Sequence, residues 1–244
     1  MRMLKAAILV AGAAAIASPA IAADFPVYPP VIEIPDVDYG YAGSFYLRGS
    51  VGAGWGWAKD VDHPLAIPNN FEIDGEGFGY SAGIGAGYET GTGLRGDLTV
   101  DWLGNEDMQI TAPIGTVGIA EGVHKLSLRS TVVLANAYYD FGFGGNGYGA
   151  SGGAFGYVGA GVGAAFNNMI TSAESGPADT RDNNVSFAAA GMVGVGYDFG
   201  TVVADIGYRG LYINSIENNK ATAPYTINHA MIHEVRGTVR YRFN

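Results

Sequence analysis

The sequence predicts an all-β protein: an eight-stranded antiparallel up-and-down transmembrane β-barrel with short periplasmic turns and four long extracellular loops. Apolar residues alternate with small or polar residues in eight segments, which is the pattern of strands that have one apolar face. The links between the segments are alternately long and short, as in transmembrane β-barrels. An even number of strands closes the sheet, so no unpaired edge remains in lipid. A soluble all-β barrel is the competing fold.

The eight predicted strands follow one another from residue 45 onward. They span residues 45–57, 78–88, 94–102, 125–141, 156–166, 185–199, 202–212 and 229–244. The links between them have roughly 20, 5, 22, 14, 18, 2 and 16 residues. The short links are predicted to lie on the periplasmic side and the long links outside.

The last strand shows the alternation most clearly. One face carries Met231, Val235, Gly237, Val239, Tyr241 and Phe243, and the other carries Glu234, Arg236, Thr238, Arg240 and Arg242. A soluble sheet mixes charged and small polar residues on its solvent face. A face this rich in charge, opposite an apolar one, favours a strand between lipid and the barrel interior.

The strand at residues 125–141 is harder to orient. If its apolar residues face lipid, then Leu126, Leu128, Val132, Leu134 and Tyr138 point outward, and Arg129 and Thr131 point inward. Asn136 is an exception on the outward face, which a β-bulge would explain.

Aromatic residues fall near both ends of the predicted strands, where the membrane interfaces would be. The set at the short-turn end is Tyr88, Tyr138, Phe141, Tyr197, Phe199, Tyr241 and Phe243, and the set at the other end is Trp55, Trp57, Trp102, Phe166 and Tyr212.

The first 44 residues predict export. Arg2 and Lys5 precede an apolar run over residues 6–17 and an Ala-x-Ala site, so residues 1–22 are predicted to be a cleaved signal peptide. Residues 23–44 are predicted to be a Pro-rich periplasmic segment, and residues 45–244 are predicted to form the barrel. Without the signal, 11 Lys and Arg face 23 Asp and Glu, which argues against nucleic acid as a partner.

The polar faces of the strands predict a charged barrel interior. Its members are Arg48, Arg95, Asp97, Asp101, Arg129, Asp205, Arg209, Glu234, Arg236, Arg240 and Arg242. Charges inside a barrel are costly unless they are paired, so an interlocked ion-pair network is one interpretation. The other is a narrow pore that its excess of arginine would make anion-selective.

We predict no catalytic, metal or cofactor site. The chain has no cysteine. Glu72, Asp74 and Glu76 lack the glutamate that would complete a calcium loop, although the acidic loop could bind a cation weakly. His229 and His233 lack the helical setting of a zinc pair. His124 lies near Ser127, but no acid is placed to orient it.

Three motifs occur in order along the chain: FYLRG at residues 45–49 with Gly52, NAYYDF at residues 136–141 and YVGAGVG at residues 157–163. In these, the chain resembles the alphaproteobacterial outer-membrane β-barrel proteins known as the porin family or major surface antigens, in the OmpA-like eight-stranded superfamily. The resemblance implies a structural or surface-interaction role in the cell outer membrane, in contact with lipid and lipopolysaccharide. It also implies that the barrel-assembly machinery recognises Tyr241 and Phe243.

Two other functions are left open at this point. A small porin-like diffusion channel with an Arg-rich lumen is the first alternative. A lipid-modifying barrel enzyme is the second, and it would need an outward-facing catalytic set that the sequence does not show. The sequence leaves the oligomeric state undetermined.

Overall fold

The computed structural model describes residues 43–57, 60–62, 70–71, 78–112, 114–117, 121–143, 152–173, 180–217 and 226–243. The predicted signal peptide and residues 23–42 of the Pro-rich segment lie outside the described residues, as do Glu72, Asp74 and Glu76. Among the described residues, no helix has the length and hydropathy needed to cross a membrane.

The described chain forms ten β-strands. They are β1 (Ser44–Trp57), β2 (Asp60–Asp62), β3 (Asn70–Phe71), β4 (Phe78–Glu89), β5 (Leu94–Ala112), β6 (Gly122–Gly142), β7 (Gly153–Ala173), β8 (Thr180–Asp198), β9 (Val202–Glu217) and β10 (Thr226–Phe243). The eight long strands pair antiparallel in chain order, and β10 pairs back to β1 from Phe45–Phe243 to Trp57–Met231. The predicted closed eight-stranded antiparallel barrel is confirmed.

The strands β5 to β8 continue farther toward the long links than the sequence pattern predicts. On β5, pairing runs on to Ala112, ten residues beyond the predicted end at residue 102. The apolar alternation ends before the hydrogen-bonded pairing of the backbones does. Only the part of each strand nearer the short turns needs an apolar outward face. We call the two ends of the barrel the turn end and the long-loop end.

The outward face is a continuous band of large apolar side chains. In the strands their exposed fractions run from 38% for Phe141 to 69% for Phe45. The band includes Leu47, Val51, Ile84, Leu98, Val158, Val162, Val193, Val195, Ile206, Val235 and Val239. Alternate residues of the same strands are buried inside the barrel, so the polarity of a water-soluble protein is inverted.

The predicted orientation of β6 is wrong. Leu128, Val132, Leu134 and Tyr138 are buried inside the barrel, whereas Arg129 is exposed on the outward face. Asn136 therefore follows the parity of its strand, and it donates from Nδ2 to Oδ1 of Asp97 at 2.8 Å. The prediction failed because both faces of this strand are largely apolar, so hydrophobicity alone did not separate them.

Cysteine labelling tests this orientation directly because the protein has no cysteine of its own. We expect a bulky maleimide attached to Ala135→Cys in the unfolded chain to leave barrel formation intact, since Ala135 is exposed, and the same label on the buried Leu134→Cys to prevent it. The folded fraction of each labelled variant, read from the heat-dependent gel shift, decides the question. Folding of the labelled Leu134→Cys variant but not of the labelled Ala135→Cys variant would restore the orientation predicted from the sequence.

At the long-loop end, β9 and β10 contain an irregularity. Pairing passes from Asn228–Ser215 to Ala230–Ile213, and His229 between them has a left-handed φ of 55°. The parity of β10 changes there, so Ile227 and Ala230 are both buried in the interior.

Candidate functional site

The interior of the barrel holds two groups of ion-paired side chains. The mid-barrel cluster consists of Asp101, Arg209, Glu234 and Arg236. The turn-end cluster consists of Arg48, Glu89, Arg95, Asp97, Asp140, Asp198, Asp205, Arg240 and Arg242.

Asp101 is the centre of the mid-barrel cluster. Its Oδ2 accepts from Nη1 of Arg209 at 2.8 Å, and its Oδ1 accepts from Nη2 of Arg236 at 2.5 Å. Nε of Arg209 donates to Oε2 of Glu234 at 2.5 Å. All four side chains are at least nine-tenths buried, and two acids balance two arginines. The cluster is therefore a set of charge-assisted hydrogen bonds with no net charge, in which Nη2 of Arg209 and Nε of Arg236 have no hydrogen-bond partner among the described residues.

The turn-end cluster is a continuous chain of ion pairs across the barrel. Asp97 pairs with Arg48 at 2.9 Å and with Arg95 at 3.9 Å, and Arg95 in turn pairs with Asp140 at 2.9 Å. Arg240 lies 3.6 Å from Asp140 and 3.4 Å from Glu89.

The chain of pairs ends near the last short turn. Arg242 binds Glu89 and lies 2.7 Å from Asp198, and it also donates to the carbonyl oxygen of Gly200 at 2.8 Å. The C-terminal strand is thus tied through its arginines to β4, β8 and the turn that follows β8.

Inward-facing glycines of the turn-end half make room for aromatic rings. The side chain of Tyr157 lies over Gly194 and Gly207, where a Cβ atom would come within 2.6 Å of its ring and 2.2 Å of its hydroxyl oxygen, respectively. Tyr138 covers Gly159 in the same way, and its ring lies 3.7 Å below the guanidinium carbon of Arg95. The space that the glycines leave is therefore filled by neighbouring tyrosines.

The interior becomes mainly apolar toward the long-loop end, apart from the buried and hydrogen-bonded Ser130, Asn167 and Ser186. Leu103 follows Asp101 on β5, Leu211 follows Arg209 on β9, and Ile232 precedes Glu234 on β10. They pack with Leu128, Val132, Leu134, Ala165, Ala188, Ala190, Met192, Ile213, Ile216, Ile227 and Ala230 in one apolar cluster. Beside Glu234 and this cluster lies a cavity of only about 20 Å³, enough for a single water molecule.

The charge balance differs from the predicted excess of arginine. The described interior pairs six arginines with seven acids. The predicted set had seven arginines and four acids because it included Arg129 and omitted Glu89, Asp140 and Asp198. These acids lie close to strand ends, so in the sequence they look like turn residues. The alternation of side chains along each strand nevertheless places them on the inward face.

Ten of the eleven predicted lumen residues lie in the two clusters. Arg129 is the exception and a correction, because it faces outward between Gly104 of β5 and Asn168 of β7. The predicted lumen set also left out two buried tyrosines: Tyr46 donates to Asp97 at 2.9 Å, and Tyr138 accepts from Arg48 at 2.8 Å.

The described members of the two aromatic sets face outward, with one correction. Tyr138 lies inside the barrel, and its neighbour Tyr139 takes the outward position. Tyr241 and Phe243 are half exposed and pack edge to face, with ring centroids 5.2 Å apart. The side chain of Trp57 lies outside the described residues.

The histidines noted in the sequence do not form a common site. His229 and His233 each share a hydrogen bond with a tyrosine, Tyr212 at 2.7 Å for His229 and Tyr208 for His233. His124 and Ser127 are three residues apart, so their side chains lie on opposite faces of β6. No group of three or more His, Cys, Asp or Glu side chains in the described part of the chain could hold a metal ion.

Comparisons with known proteins give distant similarities. No protein-family model matches the sequence. Uncharacterized proteins of Brucella suis and Brucella melitensis are each 29% identical over a 238-residue alignment that covers 85% of this chain and 81% of theirs.

Two solved structures illustrate the structural similarities. Neisserial surface protein A is 22% identical with a TM-score of 0.48, over 83% of this chain and 99% of that one. Outer membrane protein OprG of Pseudomonas aeruginosa is 12% identical with a TM-score of 0.44, over 85% of this chain and all of that one. Both TM-scores are below 0.5, so the barrel assignment rests on the strand pairing of the chain itself.

Proposed function

We propose that this protein is an integral outer-membrane β-barrel with a structural and surface-interaction role in the cell envelope. The observation that carries the proposal is the inverted polarity of the barrel, with a band of exposed apolar side chains around an ion-paired interior. A continuous apolar surface of this kind is stable only against lipid.

The dimensions of the barrel support insertion in a membrane. The shortest barrel strand, β4, has 12 residues, and a strand tilted by about 45° needs about 9–11 residues to cross a bilayer. Exposed aromatic residues lie at both ends of the band, with Tyr88, Tyr197 and Phe243 at the turn end and Trp55, Trp102 and Phe166 at the long-loop end.

Fractionation of cells that produce the full chain tests this proposal. We expect the protein in the outer-membrane fraction, resistant to carbonate extraction, and migrating faster on gels before heating than after it. Recovery in the soluble periplasmic fraction would contradict membrane insertion.

The assignment of Tyr241 and Phe243 as the assembly signal is tested in the same cells by Phe243→Ala, which should reduce the folded fraction.

A charge scan of the lipid-facing wall gives a second test. Ile84→Arg places a charge at the middle of the apolar band and should cost about 2–4 kcal/mol of unfolding free energy, whereas Leu94→Arg, at the turn end, should cost about 0–1 kcal/mol. Both side chains are more than half exposed, so neither change disturbs interior packing. Equal costs in vesicle-folded protein would argue against a bilayer around the barrel.

The interior supports a structural role over a diffusion channel. Ion pairs occupy the half of the interior at the turn end, and an apolar cluster occupies the part of the interior nearer the long-loop end. Eight strands enclose a space that side chains can fill, whereas aqueous porins have 16 or more strands. We therefore expect the folded protein to be electrically silent in a planar bilayer, and steady single-channel openings would restore the channel alternative.

The surface-interaction part of the role is supported by the wall formed by β5 to β8. On β5 the ladder continues from Trp102 to Ala112, and on β7 it continues from Phe166 to Ala173. At about 3.3 Å per residue and a tilt of about 40°, this wall extends roughly 18–25 Å beyond the aromatic residues. Protease treatment of whole cells should cleave within the long links and leave the barrel intact.

A further inference from the structure

Arg129 differs from every other cationic side chain that the structure describes. The six other arginines whose side chains are described lie inside the barrel with anionic partners. Arg129 faces outward, is exposed, and has no ion-pair or hydrogen-bond partner among the described residues. A cation that lies against an apolar wall without a described partner is stabilised by an anion at the membrane interface.

The height of Arg129 along the barrel indicates where that anion lies. On β6 it is twelve residues from Phe141, which lies at the turn end of the apolar band. At about 3.3 Å per residue and a tilt of about 40°, this separation is about 30 Å along the barrel axis, slightly more than the apolar band of about 25 Å. The strand register places Arg129 two residues beyond Thr131, which is paired with both Trp102 and Phe166.

The outer wall around Arg129 is concave. A groove of about 520 Å³ is lined by Tyr80, Trp102, Arg129, Thr131, Phe166 and Asn168, among others. Its floor is the backbone of Gly104, over which the ring of Tyr80 lies. The volume lies within the range of small-molecule sites, and aromatic walls with a few polar groups at one end suit an amphiphile.

We propose that this groove binds a membrane lipid whose headgroup carries a phosphomonoester. The guanidinium of Arg129 provides a planar pair of donors that matches phosphate, and the aromatic walls contact the adjoining acyl chains. A zwitterionic lipid neutralises its own phosphate and a phosphodiester carries a single negative charge, so charge complementarity favours a phosphomonoester, which carries about −1.5 to −2 at pH 7. The inference rests on the proposed function, since it requires the barrel to be inserted with its long-loop end at one membrane interface.

Tryptophan quenching by brominated lipids measures this binding at the groove itself. In a Trp55→Phe, Trp57→Phe background, Trp102 is the only tryptophan. The mature protein is folded into phosphatidylcholine vesicles that contain brominated phosphatidic acid, brominated phosphatidylglycerol or brominated phosphatidylcholine. We expect phosphatidic acid to bind at Trp102 about fivefold more tightly than phosphatidylcholine, from one basic residue at an anionic interface.

The variants of Arg129 isolate its contribution. Arg129→Gln should abolish the preference, so that phosphatidic acid and phosphatidylcholine bind about equally. Arg129→Lys should keep part of the preference because the charge remains. As a control, Phe187→Trp in a background without the three native tryptophans reports from β8, three strands away from β5, and should show no preference.

Three results would overturn the inference: no preference in the parent protein, the same preference in Arg129→Gln, or an equal preference for phosphatidylglycerol, which carries a phosphodiester. Insertion is checked separately by the heat-dependent gel shift. A chain that inserts into none of the vesicles would overturn the proposed function and this inference together, whereas an inserted barrel without lipid preference would overturn only the inference.

Discussion

Replacing Asp101 with alanine is expected to lower the free energy of unfolding by about 3–5 kcal/mol, which is the typical loss when one partner of a buried ion pair is removed. Asp101 is 1% exposed and is the shared acceptor of Arg209 and Arg236. Without it, Arg236 retains the hydroxyl of Ser50 as its other described hydrogen-bond partner, and Arg209 retains Glu234. The mid-barrel cluster would then hold two guanidinium groups but a single carboxylate.

Urea titration of the vesicle-folded protein, followed by tryptophan fluorescence, measures this loss. Thr99→Val is the matched control because Thr99 lies two residues away on the same inward face of β5 and accepts one hydrogen bond, from Asn136 at 3.1 Å. Its loss should be about 1 kcal/mol. If Asp101→Ala changed stability no more than Thr99→Val, the mid-barrel cluster would not stabilise the fold.

Replacing Leu134 with alanine is expected to cost about 2–5 kcal/mol because it leaves a cavity inside the apolar cluster. Leu134 is 1% exposed and packs among inward residues of other strands. Leu98→Ala is the control on the outward face, where Leu98 is 64% exposed. Lipid fills the space vacated there, so only the smaller transfer contribution is lost.

The same titration compares the two leucine variants. A larger loss for Leu134→Ala supports the apolar cluster and the corrected orientation of β6. Similar losses for both variants would mean that Leu134 also faces lipid, as the sequence pattern alone suggested.

The number of strands, their order and the faces of β1, β4, β5 and β10 could be predicted from alternation. Those strands carry large apolar residues on one face and glycine or charge on the other, so period two separates the faces without ambiguity. On β6 the inward residues Val132 and Leu134 are as apolar as the outward ones. The informative residues were Asn136 and Asp140. They are an even number of residues apart, so they lie on the same face of β6, and two polar residues on one face mark it as the interior.

The composition of the interior could be predicted only in part. Single-strand parity identifies ten of the charged residues, but it says nothing about which charges meet across the barrel. Arg209 on β9 meets Asp101 on β5 because strand tilt and side-chain length bring opposite walls together. The inward glycines likewise gave no sign that Tyr157 would occupy their space, since that depends on the rotamer of a residue on another strand.

Closure of the barrel by β1 and β10 has a consequence for how the protein folds. Phe45 pairs with Phe243, so the ladder that seals the sheet joins residues almost 200 positions apart, whereas the other long ladders join strands that are neighbours in sequence. Hairpins can form locally and quickly, but the sealing ladder must wait for the whole chain. Until then β1 and β10 are both open edges capable of pairing with other chains. Because Arg236, Arg240 and Arg242 all lie on β10, closure of the sheet also brings these arginines to their acidic partners on β4, β5, β6 and β8.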